Sequence, residues 1–195
     1  MSKMHLSIIV FIIIEKWRMK VYQQTLCFIR RNDELLMLNR EYKPTQGLWN
    51  GVGGKIEGNE SPLECVIREV KEETDIDIAR YPITDKGVIT WKVDDSSTGG
   101  MYVYLVNVDE DFDYKTPRKI DEGILDWKKI SWLLEDNNFG VGEMIPHYLP
   151  NIINVEGRYN HFCVIKDAKL TDYKFEELLP NKEKWTNKKY SSTMG

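Results

Sequence analysis

The amino-acid sequence predicts an α/β fold, in which helices cover a mixed β-sheet in a layered sandwich. Strand-like segments lie on both sides of one strongly patterned helix that begins near residue 61. Further helical segments follow late in the chain. Helices that alternate with strands have to bury their apolar stripes against a sheet, so this order of segments predicts layers of helix and sheet.

The segment ahead of the helix predicts a β-hairpin. Residues 25–29 and 35–38 are rich in apolar side chains and have the length of strands. Between them, Asn32 and Asp33 favour a turn, because both residue types tolerate turn conformations. The two strands are therefore expected to pair directly.

A polar loop and a glycine-rich stretch connect the hairpin to the helix. Arg40, in the loop at residues 40–44, carries a positive charge that suits a phosphate. Glycine lets the backbone turn tightly and approach a ligand, which can bring a main-chain carbonyl to a metal. Three glycines are closely spaced here: Gly51, Gly53 and Gly54.

The helix has a well-marked start and one apolar stripe. Ser61 suits the N-cap, Pro62 suits the first helical position, and Glu64 is placed to close a capping box with Ser61. The apolar residues recur at offsets of three, four and seven, which is the helical period. They are Leu63, Val66, Ile67 and Val70.

Three glutamates gather beside this stripe. At about 100° per residue, Glu69, Glu72 and Glu73 fall within about a quarter turn of one another. Like charges so close repel, and a hard divalent cation such as Mg²⁺ would relieve them, since it prefers carboxylate, water and phosphate oxygens. The alternative is an ordinary solvated helix face. Lys55 and Arg68 add positive charge nearby.

The segments after the helix predict more strands, two more helices and a polar tail. Predicted strands lie at residues 77–82, 87–92, 101–108, 124–127 and 160–165, and predicted helices begin at residue 130 and span 143–154. Residues 93–100 predict a polar hairpin loop, with Gly99 and Gly100 at its turn. Residues 167–195 have few apolar anchors, which predicts a partly disordered tail.

Length and composition suit one globular domain. The chain has 195 residues, of which 42% are hydrophobic and 30% are charged. The net charge of −4 argues against a protein that coats nucleic acid, and no stable nucleic-acid partner is expected. The widely spaced cysteines predict neither a zinc site nor a disulfide framework, which favours the reducing cytoplasm. They are Cys27, Cys65 and Cys163.

The first 20 residues contain an apolar run at residues 6–14. This run is too short for a membrane-spanning helix, which needs about 20 residues. Three interpretations stay open: a signal or membrane anchor without a clear cleavage site, an extension ahead of a true start at Met19, and an extra strand or dimer-forming segment. The main domain is expected at residues 21–166.

Glycine, glutamate and arginine stand at fixed offsets from Gly54 to Ile76, in the pattern G-x5-E-x7-R-E-V-x-E-E-x-D-I. This pattern resembles the signature of the Nudix hydrolase family, G-x5-E-x7-R-E-U-x-E-E-x-G-U, where U is aliphatic. One position departs, because Asp75 stands where the family has glycine; Asp tolerates the left-handed helix exit better than most residues. The resemblance implies a Nudix-like α/β/α sandwich with a mixed β-sheet, and a pyrophosphohydrolase.

The resemblance also implies roles for the matching positions. Arg68 would orient a neighbouring glutamate, and Glu60 would support the loop. The general base would be Glu69 or Glu122, although the stretch that holds Glu122 is equally typical of a solvated turn. The implied ligands of Mg²⁺, with Mn²⁺ as a substitute, are Gly53 through its carbonyl, Glu57, Glu69, Glu72 and Glu73.

Residues 47–55 resemble the MutT-type subgroup, which hydrolyses oxidised purine nucleoside triphosphates such as 8-oxo-dGTP to the monophosphate and pyrophosphate. The matching asparagine contacts the base there, so Asn50 is expected to hydrogen-bond a purine edge while an aromatic ring stacks on the base. The alternative is that Trp49 packs in the core and Asn50 caps a turn. Residues 144–147 lack the paired aspartates that read the base in animal members. The expected substrate contacts are Arg40, Trp49, Asn50 and Lys55.

Other interpretations keep the fold but change the ligand or the activity. The substrate could instead be a dinucleoside polyphosphate, a nucleotide sugar or the 5′ end of RNA, although an acidic chain is a poor match for RNA. A ligand-sensing module without turnover is the non-enzyme alternative, and it conflicts with the full set of carboxylates. The protein is expected to bind a nucleotide as a monomer or homodimer, away from the membrane unless the N-terminal run is an anchor.

Overall fold

The computed structural model describes residues 22–94 and 97–178, and it shows a β-sheet with helices on both faces. The strands are β1 Thr25–Arg31, β2 Glu34–Arg40, β3 Trp49–Asn50, β4 Ile83–Val93, β5 Ser97–Asn107, β6 Arg118–Ile120, β7 Gly123–Lys129, β8 Tyr159–Lys166 and β9 Lys169–Glu177. The helices are α1 Pro62–Thr74, α2 Ile130–Leu133 and α3 Ile145–Asn154, with a 3₁₀ turn at Ile78–Arg80.

The strands form one mixed sheet. Their order is β6-β7-β2-β1-β5-β4-β8-β9, and β3 pairs with β2. The pairs β1–β5 and β4–β8 are parallel, whereas the other pairs of strands are antiparallel. This arrangement confirms the predicted mixed sheet.

Each face of the sheet carries its own apolar core, because successive side chains of a strand point to opposite faces. The α1 face, which helix α1 covers, is built from Cys27, Ile29, Leu36, Leu38, Tyr104, Val106 and Leu125 of the strands with Val66 and Val70 of the helix. The α3 face, which helix α3 covers, is built from Phe28, Leu35, Met37, Val103 and Leu105 with Leu149 and Ile152 of the helix. The predicted α/β/α sandwich is therefore confirmed.

The strand predicted at residues 77–82 is wrong. Asp77 Oδ1 accepts a hydrogen bond from Ala79 N at 3.2 Å and so caps a 3₁₀ turn, after which β4 begins at Ile83. Local side-chain to backbone bonding of this kind competes with strand formation. Ile78 is buried within the turn, which explains the apolar signal that suggested a strand.

The prediction that Gly99 and Gly100 form a hairpin turn is also wrong, since both lie inside β5. The rings of Trp91 and Tyr22 lie directly against these two glycines, where a β-carbon would overlap the ring atoms. The glycines thus make room for aromatic rings on the strand. They do not form the turn.

The polar tail predicted from residue 167 is corrected over Lys169–Glu177, which forms β9 and pairs antiparallel with β8. The strand is anchored by Tyr173, whose hydroxyl lies 2.9 Å from His161 Nδ1 and accepts from Asn151 Nδ2 at 3.0 Å. These partners are distant in sequence, so composition alone gave no sign of them. The N-terminal extension of 20 residues lies outside the described residues, as does the chain after residue 178. Within residues 22–94 and 97–178, no helix has the length and apolarity needed to cross a membrane.

Candidate active site

Helix α1 begins and ends as its sequence predicts. Ser61 Oγ accepts a hydrogen bond from Glu64 N at 3.2 Å, and Glu64 Oε2 accepts one from Ser61 N at 2.9 Å, which completes the capping box. At the other end, Asp75 adopts the left-handed conformation with φ 64°. Lys71 Nζ holds the Asp75 carboxylate at 2.6 Å. The helix exit that glycine would favour is thus made by aspartate.

An acidic pocket of about 330 Å³ lies beside the C-terminal half of α1. It brings the predicted helix glutamates together with the turn between β6 and β7, where Ile120 pairs with Gly123. Glu41 N donates to Glu122 O at 2.8 Å and fixes this turn to the end of β2. The pocket is lined by Glu69, Glu72, Glu73, Asp75, Arg118, Ile120, Asp121 and Glu122.

Glu73 is the most perturbed carboxyl group of the pocket. Its pKa is raised to about 7, mainly by burial, and the carboxylates of Glu122 and Glu69 contribute to this rise. The Gly53 amide opposes this shift, because Gly53 N donates to Glu73 Oε2 at 3.2 Å. The positive charge of Arg40 acts in the same direction as the amide. A nearby cation would stabilise the charged form of the Glu73 carboxyl group.

Glu69 is also held in a confined position. Burial raises its pKa, and the ion pair with Arg68 opposes that shift. Its carboxylate lies so close to the Gly54 Cα that a β-carbon at residue 54 would overlap it. Glycine at position 54 therefore leaves room for the Glu69 carboxylate, which a larger residue would displace.

Arg68 binds three glutamates at once. Its guanidinium pairs with Glu60 at 2.6 Å, and its Nη1 lies 3.1 Å from Glu69 Oε1 and from Glu72 Oε2. Its Nη2 also donates to the Lys55 carbonyl at 3.0 Å. Arg68 thus ties the glycine-rich loop to the acidic side of helix α1.

The donor set fits a hard divalent cation. Oxygen is the ligand that such ions prefer. Burial and, to a smaller extent, the nearby carboxylates of Glu122 and Glu69 raise the pKa of Glu73, and a bound cation would oppose that rise. In the described part of the chain, no three acidic, histidine or cysteine side chains already converge at metal-ligand spacing. Arg68 holds two of the carboxylates instead, so a cation has to compete with its guanidinium.

The other two predicted ligands lie near the pocket. Glu57 adds to the negative charge around Glu69, and its N–H donates to Glu60 Oε1 at 2.8 Å. Gly53 turns its amide to Glu73, and its φ of 153° is one that side chains rarely adopt. Neither residue lines the acidic pocket itself.

The predicted substrate residues fall in different places. Asn50 pairs with Leu38 and shares the α1 face with it, whereas Trp49 packs against the α3 core. Lys128 Nζ lies 4.1 Å from the centroid of the Trp49 ring, a cation–π contact. Asn50 Oδ1 accepts from Gly51 N at 2.9 Å.

The two predicted basic contacts are also separated. Arg40 does not line the acidic pocket, but it is near enough for its charge to act on Glu73. Its Nε is a buried nitrogen with no hydrogen-bond partner among the described residues. Lys55 lines a different cavity, of about 450 Å³, together with Tyr22, Trp91 and Gly99. Sequence reasoning missed Arg118, which has no motif around it and reaches the pocket only through the pairing of β6 with β7.

Comparisons with known proteins agree with this geometry. The model of the NUDIX domain family matches residues 22–148. Among curated proteins, the uncharacterized Nudix hydrolase YvcI of Bacillus subtilis (strain 168) is 32% identical over 108 residues, which are 55% of this chain and 65% of that protein. The CTP pyrophosphohydrolase of Escherichia coli (strain K12) is 35% identical over 60 residues, or 30% of this chain and 44% of that protein. The chain therefore spans less than two thirds of either relative.

One solved structure shares the fold over most of its length. The crystal structure of the MutT protein from Bacillus halodurans superposes with a TM-score of 0.64 and 24% identity, over 78% of this chain and 96% of that chain. The two proteins thus share the fold.

Proposed function

The chain belongs to the NUDIX family, and we propose that it is a divalent-metal-dependent pyrophosphohydrolase that splits nucleoside triphosphates into a nucleoside monophosphate and pyrophosphate. The observation that carries this proposal is the acidic pocket beside α1, in which helix glutamates face Glu122 across the cleft. Carboxylates at this density suit a site where a cation and a polyphosphate are bound together.

The residues proposed to hold Mg²⁺, or Mn²⁺ in its place, are Glu69, Glu72 and Glu73, with support from Glu57 and Gly53. The bound cation supplies neutralisation of phosphate charge and activation of the attacking water. Arg68 keeps Glu69 and Glu72 side by side, at 3.1 Å from its Nη1 in each case. Glu60 keeps Arg68 in place from the loop side.

Of the two candidates for the general base, Glu122 suits the role better. Glu69 Oε1 is already engaged by Arg68 Nη1 at 3.1 Å, which leaves that oxygen less available to a proton of the attacking water, whereas the Glu122 side chain makes no salt bridge within residues 22–94 and 97–178. Glu122→Gln should therefore lower kcat strongly and change little the Mg²⁺ concentration needed for half-maximal activity. Glu69→Gln should do the reverse, and the opposite pattern would assign the proton to Glu69.

We further propose a purine base as the nucleoside part, and oxidised purines such as 8-oxo-dGTP as preferred substrates. Asn50 supports this proposal: its oxygen is engaged by the Gly51 amide, which leaves the amide nitrogen as a donor to a purine acceptor. Residues 144–147 at the start of α3 include no acidic side chain, and the Glu143 carboxylate before them accepts a hydrogen bond from Leu170 N at 3.3 Å. Asn50 thus carries the base recognition.

A cytoplasmic location is part of the proposal. The three cysteines are free and buried, and none is within a disulfide. Protein thiols persist in a reducing compartment.

The experiment is product chromatography after incubation with Mg²⁺ and a panel of 8-oxo-dGTP, dGTP, ATP, CTP, diadenosine tetraphosphate and ADP-ribose. We expect monophosphate plus pyrophosphate, with 8-oxo-dGTP turned over at the lowest concentration. Preference for CTP would refute the purine assignment, and preference for a dinucleotide or nucleotide sugar would refute the triphosphate assignment. No cleavage of any compound would favour a sensing role or capped RNA. Asn50→Ala should abolish the preference for the oxidised base and leave turnover of unmodified triphosphates measurable.

A further inference from the structure

Arg118 is the one basic residue that lines the acidic pocket in the described part of the chain. Six carboxylates line the same pocket, and yet Arg118 forms no salt bridge with any of them. Glu69 and Glu72 are paired with Arg68, and Asp75 is paired with Lys71, while the more distant charge of Arg118 also acts on Asp75. An arginine beside so much negative charge without an ion pair is in position for an anion that arrives from outside.

The contacts of Arg118 are few and long. Its Nη1 lies 3.4 Å from the Thr74 carbonyl and 3.4 Å from the Tyr114 hydroxyl, and its guanidinium carbon lies 5.7 Å from the centroid of the Tyr114 ring. Hydrogen bonds of that length are weak. The residue is exposed, and within residues 22–94 and 97–178 its Nε and Nη2 make no hydrogen bonds. The Nε and Nη2 donors of the Arg118 guanidinium are therefore available to bind a ligand.

The sheet register relates Arg118 to Asn50. Asn50 pairs with Leu38, Leu38 pairs with Leu125, and Leu125 pairs with Arg118, so the four residues form one row across β3, β2, β7 and β6. Residues paired in antiparallel strands point to the same face, and Leu38 and Leu125 both belong to the α1 core. Asn50 and Arg118 thus share the α1 face, three strand spacings or about 14 Å apart.

We propose that Arg118 binds the outermost phosphate of the nucleotide substrate and so sets the preference for triphosphates over shorter nucleotides. This inference rests on the proposed function, in which Asn50 meets the base at the other end of the row. An extended nucleotide that starts at Asn50 passes the helix carboxylates and reaches Arg118 with its terminal phosphate. A terminal phosphate carries the most charge, and the planar guanidinium fork of arginine matches phosphate oxygens with two parallel hydrogen bonds.

A purely structural role for Arg118 makes a different prediction. Arg118 could serve only to complement the helix C-terminus at Thr74, where a positive charge is favourable. In that case its removal would lower stability and leave ligand selectivity unchanged. The test therefore has to measure the affinity for the outer phosphates separately from the affinity for the rest of the nucleotide.

The experiment is titration calorimetry of Arg118→Ala, Arg118→Lys and wild type in Mg²⁺ with two probes, inorganic pyrophosphate and dGMP. Pyrophosphate represents the outer two phosphates, and dGMP contains neither of them. We expect Arg118→Ala to weaken pyrophosphate about tenfold, the effect of one charge-assisted hydrogen-bond pair, with dGMP unchanged and Arg118→Lys intermediate. Lys119→Ala is the matched control, since Lys119 is the next residue of β6 and pairs with Glu41 outside the pocket.

Equal affinity of wild type and Arg118→Ala for pyrophosphate would overturn the inference, as would an equal loss for both probes. If Arg118→Ala does not fold, Arg118→Lys decides the question, because its affinity for pyrophosphate should fall while its affinity for dGMP stays the same. Steady-state kinetics add a second readout, because KM for triphosphates should rise about tenfold in Arg118→Ala while kcat changes little. Wild-type protein that hydrolyses no nucleotide would refute the proposed function. An active wild type whose pyrophosphate affinity is matched by Arg118→Ala would refute only this inference.

Discussion

Arg68 donates to both carboxylate oxygens of Glu60, from Nη2 to Oε1 at 2.6 Å and from Nε to Oε2 at 3.1 Å. This bidentate pair holds the pKa of Glu60 near 2, mainly through the hydrogen bond from Arg68. It also leaves only Nη1 for Glu69 and Glu72. Glu60 therefore limits how strongly Arg68 competes for the carboxylates that would hold a cation.

Glu60→Gln should raise the Mg²⁺ concentration needed for half-maximal activity several-fold. Without the charged partner, the Arg68 guanidinium is free to bind Glu69 and Glu72 more fully, and the cation has to displace it. Activity as a function of Mg²⁺ concentration is the measurement. Glu34→Gln is the control, because it removes a comparable pair with Arg31 at 2.9 Å outside the pocket. An unchanged Mg²⁺ dependence in Glu60→Gln would refute this role of Glu60.

Gly54→Ala should reduce kcat/KM about tenfold or more with little change in the free energy of unfolding. The new β-carbon would overlap the Glu69 carboxylate, which lies at the end of a flexible side chain and can move aside without disturbing the backbone. Displacement of a reacting group by about 1 Å commonly costs up to 10²-fold in rate. Kinetics and thermal unfolding of Gly54→Ala are compared with Gly142→Ala, whose β-carbon meets only Ile145 at ordinary contact distance. Full activity in Gly54→Ala would show that the position of Glu69 is unimportant.

Glu72→Gln should abolish metal-dependent turnover with little effect on folding. The Glu72 side chain is 59% exposed, so the substitution changes its charge without disturbing the core. Hydrolysis is measured across a range of Mg²⁺ concentrations, and folding by circular dichroism. Glu110→Gln, an exposed glutamate away from the pocket, is the matched control. Normal rates in Glu72→Gln would exclude it as a metal ligand.

The free energy of unfolding should fall by about 3 kcal/mol as the pH drops from 6.5 to 4, because of His161. Burial lowers the pKa of His161 to about 4, with Lys86 contributing, so the folded state stays neutral where the unfolded state binds a proton. The contribution of His161 to stability is thus fully present above the pKa of the unfolded state, and it is lost as the pH falls towards the pKa of the folded state. Urea titrations at several pH values measure this slope.

His161→Phe should flatten that pH dependence. The ring stacks on Tyr173 and Phe175, and phenylalanine preserves this packing while it removes the titrating nitrogen. The variant also loses the contact between His161 Nδ1 and the Tyr173 hydroxyl, so its stability at pH 7.5 should be somewhat lower than that of the wild type. A slope equal to that of the wild type would assign the titration to another group.

The sequence by itself determined the local features of this protein. The N-cap at Ser61, the apolar stripe of α1 and the left-handed exit at Asp75 depend on residues within a few positions of one another, so they were predictable. The carboxylates on one side of α1 follow from the helical period alone. The mixed sheet with helices on both faces followed from the order of the segments and from the family resemblance.

Only the tertiary structure decided what depends on contacts between distant residues. Strand β9 is held by Tyr173 contacts to Asn151 and His161, and its polar sequence gave no sign of them. Gly99 and Gly100 leave space for the rings of Trp91 and Tyr22, which come from other segments. Arg118 reaches the acidic pocket because β6 pairs with β7, and Asn50 and Trp49 point to opposite faces because β3 pairs with β2. Sequence periodicity specifies which side chains share a face of one element, whereas strand pairing specifies which elements meet, and the pairing depends on the whole chain.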